Sequence, residues 1–190
     1  MSIAHPLSAK PRPGHEFATL GGGCFWCLEA VYEDLKGVVD VESGYSGGTT
    51  HAPDYRSVCG GDTGHAEVVR IEFDPAKVTY RQILEVFFGI HDPTTLNRQG
   101  NDVGTQYRSV IYTHSSEQEV VAKEVLAEAR AAFSRPVVTE LMPAPPYWRA
   151  EDEHQEYFSH HPHQGYCAAV IGPKVAKFKK TFSELRKAAA

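Results

Sequence analysis

Residues 16–37 read EFATLGGGCFWCLEAVYEDLKG, and the fold is read outward from them. Glu16 to Leu20 reads as a short strand running into Gly21, Gly22 and Gly23. Phe25, Leu28, Val31, Tyr32 and Leu35 then share one face at helical spacing, so a helix starts near Cys24 and stops at Gly37. Val38 to Tyr45 follows as a second strand, closed by Ser46-Gly47-Gly48. Residues 49–65 carry no periodicity and are rich in Gly, Asp, Thr and His, a composition suited to a binding loop.

Further along, Ala66 to Phe73 alternates like a strand and ends at Asp74-Pro75. Thr79 and Gln82 form a capping-box pattern for a helix through about Ile90, and Ser116 with Glu119 does the same for a helix to about Phe133. Residues 91–107 read as a loop, Arg108 to Tyr112 as a strand, and Val137 to Leu141 as a last strand before Pro143, Pro145 and Pro146. Glu151 to Phe158 reads as a short helix. From Ser159 onward an irregular tail is expected, with a helix near Val175 to Leu185. Strand and helix recur without a clean parallel alternation. The fold class is therefore α/β (α+β): a two-layer sandwich, a mixed sheet with helices packed on it, rather than a doubly wound fold.

A chain of 190 residues with 42% hydrophobic content builds one domain with a core. No apolar run reaches the roughly 20 residues that cross a bilayer. The first twenty residues, with Pro6, Pro11, Pro13 and His15, hold no signal-peptide stretch, so a cytoplasmic protein with a loose arm is expected. The net charge is −5 with both signs interspersed, which argues against nucleic acid as a partner. Lys174, Lys177, Lys179 and Lys180 form a basic segment that reads as solvated.

Four cysteines, Cys24, Cys27, Cys59 and Cys167, are poor material for a disulfide framework in a cytosolic chain. Cys24 is the candidate nucleophile. Helix N-termini carry free N–H groups and partial positive charge. They lower a cysteine pKa from about 8.5 to roughly 3.5–7.5. An ionised Cys24 is expected on that ground. Cys24 and Cys27 also have the spacing of a thioredoxin-like dithiol, although Phe25 and Trp26 between them match that motif poorly. A zinc-stabilised binding domain would instead recruit Cys24, Cys27, Cys167 and one of His160, His161 or His163.

Gly23-Cys24-Phe25-Trp26 resembles the signature of the peptide methionine sulfoxide reductase A family. Asp54-Tyr55-Arg56-Ser57-Val58-Cys59, Gly64-His65-Ala66-Glu67-Val68-Val69 and Gly100-Asn101-Asp102-Val103-Gly104-Thr105-Gln106-Tyr107-Arg108-Ser109 resemble further stretches of it, in the same order and spacing. The resemblance spans roughly residues 16 to 167. It implies reduction of methionine-(S)-sulfoxide, protein-bound or free, through a Cys24 sulfenic acid, an intramolecular disulfide and recycling by thioredoxin. No cofactor or metal is implied, and the family suggests a monomer.

Roles follow from the same resemblance. Glu67 is the acid that protonates the sulfoxide oxygen, and its apolar strand neighbours are expected to keep it protonated. Tyr55 and Tyr107 are the hydroxyl donors to that oxygen. Asp102 helps bind the substrate backbone, and Phe25 with Trp26 forms the pocket for the substrate S-methyl group. Cys167, after Gly165-Tyr166, is the candidate resolving thiol, with Cys27 as a secondary one; Cys59 is left structural. The expected layout is a flexible arm over residues 1–15, a catalytic domain over 16–160, and a mobile tail over 161–190 that carries Cys167.

Overall fold

A computed structural model describes residues 9–188 of the chain. Eight strands and six α-helices follow in chain order: β1 (Glu16–Gly21), α1 (Phe25–Tyr32), β2 (Val38–Ser46), α2 (Tyr55–Cys59), β3 (Ala66–Phe73), α3 (Tyr80–Ile90), β4 (Arg98–Gln99), β5 (Asp102–Val103), β6 (Val110–Thr113), α4 (Ser116–Ala132), β7 (Glu140–Pro143), β8 (Tyr147–Arg149), α5 (Tyr157–His160) and α6 (Gly172–Thr181). Six strands form one sheet in the order β7-β6-β1-β3-β2-β8. Only β6 and β7 run parallel; the other pairs are antiparallel. Strands β4 and β5 make a small hairpin of their own.

Alternation along the central strands sorts the two faces. Val69, Ile71 and Phe73 of β3, with Ala18 and Leu20 of β1, meet α1, α3 and α6 in the main core. Ala66 and Val68 point the other way and join Val110 and Tyr112 in a smaller cluster. Beside that cluster, buried Glu42 takes ion pairs from Arg70 and Arg149, so the second face is stitched by charge as well as by apolar contact. The expected two-layer arrangement of a mixed sheet and packed helices is the observed one.

The turn from β1 into α1 depends on the three glycines. Gly23 sits at φ +93°, and a Cβ there would lie 2.7 Å from the Gln99 side chain. A Cβ on Gly22 would lie 2.9 Å from the Phe87 ring and 3.2 Å from that of His91, so this position has no room for a side chain either. Helix α1 is buried nearly all round, from Phe25 to Tyr32.

Several expected boundaries are corrected. Helix α1 stops at Tyr32, and the chain reaches Gly37 (φ +85°) through turns. The N-cap of α4 is Ser115, whose Oγ accepts the Gln118 N–H, not Ser116. The loop at 49–65 contains α2, held by a reciprocal Asp54–Ser57 capping box. The strand expected at 137–141 lies at Glu140–Pro143, and the helix expected at 151–158 is a 3-10 turn, Asp152–His154, followed by α5. The tail is helical rather than irregular: a π-helical turn at Cys167–Ile171 runs straight into α6, anchored by buried Ile171, Val175 and Phe178.

The arm expected at 1–15 is described only from residue 9. There Arg12 N–H and the His15 ring bond to Glu72, which ties this part to the sheet. Residues 1–8 and 189–190 lie outside the described residues.

Candidate active site

Strand alternation decides where Glu67 goes. It shares the helix-facing side of β3 with Val69 and Ile71, so a carboxyl group is placed under α1 at 1% exposure. Its Oε2 accepts the Phe25 N–H at 3.0 Å. Burial raises its pKa to about 8; the Phe25 N–H opposes this, and nearby Asp102 and Cys27 add to it. A carboxyl raised to that value is mostly protonated near neutrality.

The expectation of an ionised Cys24 is corrected. Burial pushes the Cys24 thiol well above its ordinary range, and its bond to Cys27 and, above the pKa of Glu67, that residue's carboxylate push the same way. Two features explain why the helix terminus does not prevail. Helix α1 has only eight residues, and its first N–H is committed to Glu67; Cys24, the N-cap, makes no side-chain cap bond. Cys27 moves downward instead, chiefly because it accepts the Cys24 S–H. Burial opposes that fall, while the Lys174 ammonium and the Tyr166 hydroxyl assist it. The two thiols therefore behave as one coupled pair.

Three tyrosines converge here from separate segments. Tyr55 opens α2, where its N–H donates to Glu151 Oε2 at 3.0 Å and its hydroxyl bonds Cys59 one turn on. Tyr107 ends the 3-10 turn Thr105–Tyr107. Burial raises both phenols, so each stays a hydrogen-bond donor. Tyr166 donates to Asp102 Oδ2 at 2.6 Å and lies in hydrogen-bonding reach of Cys24 and Cys27. Asp102, on the β4–β5 hairpin, is thus tied to the segment that carries Cys167.

Phe25 and Trp26 part company. Phe25 is fully buried and belongs to the core. Trp26 is half-buried, with one face stacked on Tyr157 at 3.7 Å and 7°. Tyr55 and His154 lie 6.3 and 5.6 Å from it. His154 also packs 4.3 Å from Tyr55. The indole N–H of Trp26 and both ring nitrogens of His154 are buried without a hydrogen-bond partner. Cys167 is 0% exposed, within the same core cluster as Cys24 and Cys27. The mobile setting expected for it is replaced by the first turn of a helix.

A cysteine on a glycine turn, a protonated buried glutamate and converging hydroxyls place a thiol beside groups able to donate a proton and hydrogen bonds. Residues 16–186 match the family model described as peptide methionine sulfoxide reductase.

The chain belongs to this family.

It is 60% identical over 181 residues to the peptide methionine sulfoxide reductase MsrA of Polynucleobacter asymbioticus, covering 94% of this chain and 95% of that one. Among solved structures it resembles Mxr1 of Saccharomyces cerevisiae in reduced form, with 32% identity and a TM-score of 0.78, over 87% of this chain and 96% of that chain. Mxr1 in complex with Trx2 shares the fold at 23% identity and a TM-score of 0.56, over 82% and 94% of the two chains. The protein is an oxidoreductase of the peptide methionine sulfoxide reductase class.

The ligands named for the zinc alternative are not gathered in one place. Among the described residues, the metal-capable ligand atoms that gather within 4.8 Å are those of Glu151, Glu153 and His154, not the cysteines with His160, His161 or His163. Among the described residues, no helix of the reductase is long and apolar enough to cross a membrane. Sequence reading missed Tyr166, Tyr157, Glu151 and His154. Tyr166 alone had a signal, its place beside Cys167.

Proposed function

We propose that this reductase returns methionine-(S)-sulfoxide, in polypeptides and as the free amino acid, to methionine by accepting its oxygen on Cys24. The observation that carries this is the buried, protonated Glu67 held on the first amide of the helix that Cys24 caps. Glu67, with the Tyr55 and Tyr107 hydroxyls, donates to the sulfoxide oxygen and makes the sulfur electrophilic. Cys24 Sγ takes up the oxygen as its S–H bond breaks. Methionine leaves, and Cys24 becomes a sulfenic acid. One thiol hydrogen ends on the transferred oxygen, so Glu67 is reprotonated and the step balances without a cofactor.

A second thiol then attacks Cys24 Sγ, a disulfide forms and water departs. The resemblance favours Cys167 as that thiol. The bond between Cys24 and Cys27 in the reduced protein favours Cys27 for the first disulfide. Cys167, in the same cluster, is then the thiol that exchanges onto Cys27 and frees Cys24. Thioredoxin, the type of partner bound in the Mxr1–Trx2 complex, supplies the two electrons that reopen the disulfide. We place the enzyme in the cytoplasm, acting as a monomer through the domain at 16–160 and the segment at 161–190.

Mass spectrometry after one equivalent of methionine sulfoxide tests this. A Cys24–Cys27 link is expected first in the wild type, followed by Cys27–Cys167. In Cys27→Ser, a direct Cys24–Cys167 link is expected to form more slowly. Full activity in Cys24→Ser would remove the whole reading, and equal rates in Cys27→Ser would remove the order of the cysteines.

A further inference from the structure

The basic segment at 174–180 has work that the reaction above leaves open. Helix α6 turns Val175 and Phe178 into the core, and Lys174 and Lys177, one turn apart, line a cavity of about 440 Å³ with Arg135. Asp92 is the one carboxylate in its wall. That carboxylate is already engaged, by the Thr94 N–H and hydroxyl on Oδ1 and by Arg135 at 3.1 Å on Oδ2. Ion pairs among the described residues include neither Lys174 nor Lys177. The cavity therefore holds three cations against one acid, on a chain whose net charge is −5.

Its position gives the charge a use. A second cavity of about 480 Å³ is lined by Asp102 and Tyr166, the pair beside the catalytic sulfurs. Gln99, Pro173 and Lys174 belong to the walls of both cavities. A polypeptide lying in the second cavity thus has its next residues beside Lys174, Lys177 and Arg135. We propose that this cationic trough selects polypeptide substrates that carry an acidic side chain close to the oxidised methionine. This rests on the sulfoxide reductase reading above and names the substrate class that site prefers.

Peptides with a central methionine sulfoxide test it. Glu, Ala or Lys is placed in turn at each of the flanking positions, with dithiothreitol as reductant so that thioredoxin docking plays no part. On one side of the sulfoxide, Glu peptides are expected to have kcat/KM about three- to tenfold above Lys peptides, the scale of two partly exposed ion pairs. The preference is expected to collapse near 1 M salt, where the screening length is about 3 Å. Lys177→Glu combined with Arg135→Gln is expected to abolish or invert it while leaving turnover of free methionine sulfoxide unchanged. Equal wild-type rates on Glu and Lys peptides would overturn the proposal, as would a preference that survives in the double variant. Failure of the reductase reading itself would look different: no sulfoxide, free or peptide, would be turned over.

Discussion

Glu67 occupies a strand position where alternation calls for an apolar residue, and the structure accommodates it by leaving it uncharged. The consequence for stability has a definite sign. A carboxyl whose pKa rises from 4.5 to about 8 on folding favours the folded state most below pH 4.5, and that contribution is lost as pH climbs through 8. In the proposed mechanism the same proton serves the chemistry. Glu67→Gln is expected to flatten the fall in unfolding free energy between pH 5 and 8. It is also expected to slow sulfenic acid formation by about 10²–10⁴, the range typical of a lost general acid. Chemical denaturation across pH and rapid-quench single turnovers measure the two effects. A variant as fast as wild type would exclude Glu67 as the acid. Its buried position was legible in the sequence because it lies on a strand among the apolar residues Ala66, Val68 and Val69. The state of Cys24 was not: helix position is a local signal, whereas burial and the commitment of the Phe25 amide depend on how β3 packs under α1.

At the level of elements, α2 shows how a five-residue helix can hold a side chain of the candidate site in place. Alone it is too short to persist in water. Its capping box fixes the start, and Glu151 fixes its orientation by accepting the Tyr55 N–H at 3.0 Å and the Tyr45 hydroxyl at 3.1 Å. Glu151→Ala is expected to lower kcat about tenfold through a loosened Tyr55, with KM little changed; one bond to a charged acceptor is worth about 1.5–3 kcal/mol. Glu151→Gln keeps an acceptor oxygen and is expected to recover most of the loss. Steady-state kinetics of both variants decide it, and equal defects in the two would count against a positioning role. Strand β3 and helices α3 and α4 were readable because alternation and caps are local. Strand β8, three residues long and directly after a run of prolines, exists through its pairing with distant β2. The tail was misread because Gly165, Gly172 and Pro173 look like helix breakers. The helical run nevertheless continues through them: the π-helical turn at Cys167–Ile171 carries the chain past Gly172 and Pro173 into α6 without a break.

Across the whole molecule, the site is an assembly of segments far apart in the chain, each held by the one sheet. The two-layer architecture could be read from the order and periodicity of its elements. The convergence of Tyr166, Glu151, His154 and Lys174 could not, since each gains its role from contacts that span most of the sequence. His91 illustrates such long-range bracing. It packs on Gly22, donates from one ring nitrogen to the Phe87 carbonyl and meets Ser109 Oγ at 2.8 Å with the other. Burial lowers its pKa to about 4. A histidine kept neutral in this way contributes stability that is present above about pH 6.5 and is lost as pH falls through 4. His91→Gln is therefore expected to melt lower at pH 7 but to lose less on acidification from 6.5 to 4. Calorimetry at both pH values checks this, and parallel acid limbs for the two proteins would argue against it.

The burial of the three site sulfurs bears on survival under oxidant. Peroxide reacts with exposed thiolates, and here Cys24, Cys27 and Cys167 are shielded while Cys59 is open to solvent. In the proposed mechanism a docked substrate has its oxygen loosened by the donors around Cys24, an activation that a stray oxidant lacks, and the thiol such an oxidant meets at the surface is Cys59, which burial holds above its ordinary pKa. The molecule is thereby built to stay in service amid the reagents whose damage it mends.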